Sequence, residues 1–182
     1  MRRPTRRQLA IGGAALLLCL EGCAAPPPPR VIVAAPQAQT RTQTQTEIPE
    51  LDQEDVVARL VEAHNRERAR AGLPPLEVDP QLEAAAEAHA RDMAGHVQMR
   101  HRGSDGSNPF QRIEAQGYRF RRAGENVAWG QPSPESVMRD WMHSRGHRRN
   151  ILGEFSQIGA AYAIGADGSH YWCVTFGDPA RG

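Results

Sequence analysis

The chain has 182 residues, 40% of them hydrophobic and 24% charged, with 22 basic side chains against 21 acidic ones. This balance suits one globular domain with tails, and excludes a collagen-like, coiled-coil, multi-span or strongly basic nucleic-acid-binding protein. Every basic residue is Arg, so Schiff-base chemistry and a P-loop lysine are excluded as well.

The first fifty residues concern address. Met1-Arg2-Arg3-Pro4-Thr5-Arg6-Arg7 precedes an uncharged run from Leu9 to Leu20. A basic stretch before a short apolar run is the anatomy of an export signal, and the run is short for a membrane span. Arg6-Arg7 also resembles a twin-arginine signal. Leu20-Glu21-Gly22-Cys23 resembles a bacterial lipobox, which implies acylation at Cys23 and a tether on the outer face of a membrane. Residues 24–50 read as a linker in which Pro26 to Pro29 give way to a Thr/Gln run. Proline extends such a chain and Thr/Gln keeps it solvated.

Residues 51–182 form the head, where sixteen Arg face eighteen acids, so its net charge nominates no partner. Val56, Val57, Leu60, Val61 and His64 recur at helical spacing over 52–71, with acids early, Arg late and Gly72 as a stop. Asp79-Pro80 opens a second helix whose Leu82, Ala85, Ala86, His89, Met93 and Val97 share a face. A short helix runs from Asn108-Pro109 to Gln116. Ser133-Pro134 starts a fourth, which carries Val137, Met138 and Trp141 and ends near His147. A strand near Glu125–Trp129 follows from a weaker signal. Residues 158–164 and 170–176, joined by a turn at 165–168, read as a hairpin. The fold class is therefore α+β, with a mainly antiparallel sheet. Cys173 is the only cysteine in the head, so no disulfide framework exists, and its apolar strand makes it a small core residue rather than a nucleophile.

Few residues carry chemistry. There is no GxGxxG, GxxxxGK, GxSxG or CxxC. Arg119, Arg121, Arg122, Arg148 and Arg149 read as a solvated, ion-paired face rather than a nucleic-acid contact. His143 and His147 have HxxxH spacing, but a zinc protease needs Glu where Ser144 stands. What remains is His101 in a Gly-rich loop, Glu125 entering an apolar stretch, and His147. A buried carboxylate needs donors, and histidine is a natural one. Two His and a carboxylate could instead hold a divalent metal such as zinc, or tie loops to the sheet.

These segments carry a resemblance. His64-Asn65-Arg66-Glu67-Arg68, Gly72 to Leu76, Asp79 to Met93, His101 to Gly106, Gly124 to Trp129, Trp141 to Asn150 and Tyr171-Trp172 resemble, in order, the CAP superfamily. Its members are the cysteine-rich secretory, antigen-five and pathogenesis-related proteins, also called SCP-like. The resemblance covers about residues 54–177. It implies a three-layer α–β–α sandwich in an extracytoplasmic protein, with two His and two Glu facing a cleft that binds divalent metal in some members. By motif these are His101, His147 and Glu125, while Ser144 occupies about the place of the second Glu. That departure lowers the expected cation affinity.

Two functions follow as expectations. The first is a binding module on a lipid tether, taking a lipid or sterol, glycan or protein at a cleft formed by His101, Glu125, Asn126, Ser144 and His147. The second is a metal-dependent hydrolase of peptidase or esterase type using His101, His147 and Glu125. Binding is favoured because Ser104 and Ser144 have histidines nearby in sequence but no defensible triad order.

Overall fold

The structure, a computed structural model, describes residues 53–181; the expected export signal (1–23), the Cys23 lipidation site and the linker (24–50) lie outside them. In chain order the elements are α1 Gln53–Arg70, β1 Glu77–Val78, α2 Pro80–Gly95, α3 Pro109–Ala115, β2 Phe120–Trp129, α4 Pro134–His143, α5 Arg145–Ile151, β3 Gln157–Ile164 and β4 His170–Pro179.

Local sequence explains most helix starts. Asp79 accepts from the N–H groups of Gln81 and Leu82, Asn108 pairs reciprocally with Gln111, and Ser133 with Ser136. In each case proline follows the cap, where its missing N–H costs nothing and its fixed φ suits the first turn. α1 carries acids in its first turn and arginines in its last, matched to the helix dipole.

The four strands lie in the order β1-β3-β4-β2. β4 pairs antiparallel with both long neighbours, Glu125 opposite Thr175 and Ile158 opposite Phe176. The two-residue β1 runs parallel to β3, so the sheet is mixed, with antiparallel pairing dominant.

Strand alternation sorts the side chains into two cores. Ala128, Ile158, Ala160, Trp172, Val174 and Phe176 face α1, α4 and α5, where Leu60, Trp141 and Ile151 meet them. Val127, Ala161, Tyr171 and Cys173 face α2, against Ala86, Ala90 and Met93. Helices therefore cover both faces, giving the α–β–α sandwich. α2 lies so close to the sheet that a Cβ on Gly159 would sit 2.1 Å from the backbone carbonyl carbon of Leu82. Thr175 Oγ1 donates to the Leu82 carbonyl at 2.9 Å in the same contact.

Three expectations are corrected. The strand inferred near Glu125 begins at Phe120, its first half disguised by Arg121, Arg122 and Gly124. Such charges are usual on an edge strand, and β2 is one. Val97 does not share the buried face of α2; it lies beyond the helix end and is 48% exposed. The helix carrying Trp141 does not reach His147. Ser144 adopts an extended conformation (φ −92°, ψ 120°), so His147 belongs to the separate α5.

Candidate functional site

Glu125 and Asn126 are neighbours on the edge strand β2, so their side chains point to opposite faces of the sheet. Everything else at the site follows from that alternation. On the α2 side, Glu125 Oε1 lies 2.8 Å from Nδ1 of His101, and Oε2 accepts from Arg112 Nη2 at 2.6 Å. The carboxylate is 2% exposed, and the guanidinium offsets a desolvation cost that would otherwise forbid the charge. Arg112 also donates to the backbone carbonyls of His101 and Ser107, at 3.0 and 3.1 Å. It thereby fixes the loop that carries His101. The contact uses Nδ1 and leaves Nε2 as the second nitrogen of this half-exposed ring.

On the α5 side, Asn126 Nδ2 donates to the His147 carbonyl at 3.2 Å. Asn150 Nδ2 donates to Asn126 Oδ1 at 2.8 Å and to the Glu125 carbonyl at 3.1 Å. These bonds seat α5 over the outer edge of β2, and Gly124 leaves room for Asn150 there. His147 is half-buried, with its ring 6.2 Å from that of Trp141. Its pKa is lowered, first by desolvation and then by the charge of His101, so it is a neutral donor–acceptor near pH 7.

The expected residues thus fall into two groups. His101, Glu125, Asn126 and His147 converge on the β2 edge. Ser144 marks the α4–α5 break and its side chain does not cap α5. His143 is exposed, with Nδ1 2.7 Å from the Arg139 carbonyl. Sequence reasoning missed Arg112, His89, Asn150 and the Cys173 contact. His89 lies beneath the site, its Nε2 2.8 Å from the Arg100 carbonyl and 4.0 Å from Glu125 Oε1. Burial lowers its pKa, with Glu125 opposing. The Cys173 Sγ is 3.7 Å from Glu125 Oε2, and burial beside that carboxylate raises its pKa well above the usual thiol value. A thiol held protonated is a core residue, not a nucleophile.

The expected cation site rests on the His101 and His147 imidazoles alone. Among the described residues no group of three or more His, Cys, Asp or Glu converges to hold an ion. Both oxygens of Glu125 are engaged, and Ser144 supplies no carboxylate. The same bonds keep Glu125 from acting as a free base. A groove of about 790 Å³ lies elsewhere, between α1 and α2, floored by Val57, Val61 and Ala161 and rimmed by Glu54, Glu62 and Glu83. It holds no histidine, and the convergent polar chemistry sits at the β2 edge.

The fold has counterparts among known proteins. The cysteine-rich secretory protein family, CAP, matches residues 61–176. The chain belongs to this CAP family. The YkwD protein of Bacillus subtilis is 40% identical over 73 residues, which are 40% of this chain and 28% of YkwD. The chain therefore spans little more than a quarter of that relative. Two solved CAP-like structures share the fold. An outer surface protein of Borrelia burgdorferi aligns with a TM-score of 0.66 and 24% identity, over 71% of this chain and 96% of that one. An extracellular protein containing an SCP domain from Bacillus anthracis aligns with a TM-score of 0.62 and 25% identity, over 69% of this chain and 41% of that one. The CAP match encloses both halves of the β2-edge site.

Proposed function

We propose that this CAP protein is an exported, lipid-anchored binding module whose cleft at the β2 edge captures an extracytoplasmic ligand. The observation that carries this reading is the state of Glu125. Its charge is neutralised by Arg112, its second oxygen orients His101, and no activated nucleophile stands beside it. The result is a rigid polar surface with His101 Nε2 and the neutral His147 imidazole available for hydrogen bonds. Such a surface suits recognition rather than turnover. The lipobox-like sequence ending at Cys23 and the Pro/Thr/Gln linker support placement outside the cytoplasm at the end of a tether. The names of the Borrelia and Bacillus anthracis neighbours agree with that placement. Among the described residues no helix is long and apolar enough to cross a membrane. The hydrolase alternative would require Glu125 as a free base.

The test is backbone and histidine ring NMR of the protein with three probes: a disaccharide-peptide wall fragment, palmitate and cholesterol. At least one probe is expected to move the His101, Asn126 and His147 signals without being consumed. Binding should weaken about tenfold or more in His101→Ala/His147→Ala, the loss of two hydrogen-bonding partners. Product formation that disappears in His147→Ala would replace the binding reading with an enzymatic one.

A further inference from the structure

We propose that the face surrounding the cleft mouth, built from the 96–102 loop and α5, is a contact surface for an anionic lipid bilayer. The proposal is independent of which ligand the cleft takes. Three observations carry it.

The first is a strained residue. Val97 is the one non-glycine among the described residues with positive φ, at 48°, whereas Gly72, Gly106, Gly117, Gly130 and Gly168 occupy the other such positions. It ends α2 in a Schellman motif: its own N–H bonds the Ala94 carbonyl, and the Gln98 N–H bonds that of Met93 at 3.0 Å. Glycine is the usual residue there, and a β-branched side chain is poorly accommodated. Core packing does not compensate, because Val97 is 48% exposed, and Met99 beside it is 47% exposed. An apolar side chain held outward at the expense of strain points to a surface that uses it.

The second is charge. Residues 93–104 and 141–153, flanked by Asp92, Asp105, Asp140 and Glu154, contain no acid and carry Arg100, Arg102, Arg145, Arg148 and Arg149 near His101 and His147. Among the described residues none of these five makes an ion pair. Arg59, Arg66, Arg70, Arg91, Arg121 and Arg122 do, each with a carboxylate. The expected ion-paired face is therefore real for Arg121 and Arg122, while Arg119, Arg148 and Arg149 make no ion pair among the described residues.

The third is preorganisation. The loop is fixed at the His101 carbonyl by Arg112, and α5 at the His147 carbonyl by Asn126. The loop is thus held on the Glu125 side of β2 and α5 on the Asn126 side. Apolar tips beside unpaired arginines match the interfacial layer of a bilayer, with methyl groups entering and guanidinium groups on headgroup phosphates.

Vesicle flotation of the full chain carrying Cys23→Ser, so that no acyl group contributes, tests this. Binding is expected to vesicles of phosphatidylglycerol and phosphatidylcholine, with little to phosphatidylcholine alone. Arg145→Gln/Arg148→Gln/Arg149→Gln should lower the apparent affinity about 100-fold, at roughly one headgroup contact per arginine. The control pair Arg121→Gln/Arg122→Gln should change it little. Val97→Gly is the decisive variant: its melting temperature should rise by a few degrees as the strain is released, while vesicle affinity drops several-fold. Equal binding to neutral vesicles, or undiminished affinity in a stabilised Val97→Gly, overturns the proposal. So does soluble polyphosphate binding as tightly as the vesicles and insensitive to Val97→Gly, which would assign the arginines to a soluble polyanion.

Discussion

His64 and Arg68, from the first segment of the CAP-like pattern, are structural. Arg68 is 2% exposed and donates to the carbonyls of Pro74, Ile151, Gly153 and Phe155 at 2.8–3.1 Å. It is a buried cation that closes the loops after α1 and α5, in a fork geometry lysine cannot reproduce. His64 lies one turn earlier between Trp141 and Phe176, with Nδ1 2.8 Å from the Leu60 carbonyl and Nε2 buried without a partner. Burial, aided by the charge of Arg68, lowers its pKa from 6.5 to about 4. The unfolded chain takes up this proton near pH 6.5, whereas the native state refuses it until about pH 4. Stability is therefore lost as pH falls through that window, by up to about 1.4 kcal/mol per unit. Urea midpoints at pH 7, 5.5 and 4.5 are expected to decline more steeply for wild type than for His64→Phe. Parallel declines would assign the acid sensitivity to other groups.

Among the elements, the α2–sheet contact is the tightest. Gly159 on β3 lets the backbone of α2 approach where any side chain would collide with Leu82 and Glu83. Since both neighbours are main chain, α2 itself must move to admit a methyl group. Gly159→Ala should cost about 3 kcal/mol or more through overpacking and loss of the Thr175 bond to Leu82. Differential scanning calorimetry checks this, and an unchanged transition would show that α2 shifts freely. Because His89 and the loop to His101 follow from α2, the same variant should also broaden the His101 ring signals.

For the whole molecule, the head is a three-layer sandwich whose convergent polar residues lie at one sheet edge, and the expected linker lies outside the described residues. If Cys23 carries the acyl anchor, wild-type protein expressed in a bacterial host partitions into the membrane fraction. Cys23→Ser should then move it to the soluble extracytoplasmic fraction with its fold, read by circular dichroism, unchanged. Retention of Cys23→Ser in carbonate-washed membranes would refute acyl anchoring. The peripheral face around Val97 is distinguishable here, because electrostatic contacts are released by high salt and an acyl chain is not.

Local chemistry by itself determined the helix starts, since Asp79, Asn108 and Ser133 with their following prolines settle the chain direction within a few bonds. It also determined the β3–β4 hairpin, whose runs of strand-forming residues and Gly165–Gly168 turn need no distant partner. His101 was legible as a partner of Glu125 because a carboxylate in an apolar strand demands donors, whereas His147 is tied by its carbonyl to Asn126. Only the tertiary structure decided which donors. Arg112 sits in a short polar helix that reads as surface, and it becomes the counter-charge of Glu125 when α3 folds against β2. The break at Ser144, the parallel β1 and the strained Val97 were equally hidden. Each is fixed by contacts with residues far away in the chain or by a helix end whose geometry overrides the preference of its side chain. Periodicity reports which residues are buried, but the partner of a buried charge is a property of the assembled layers.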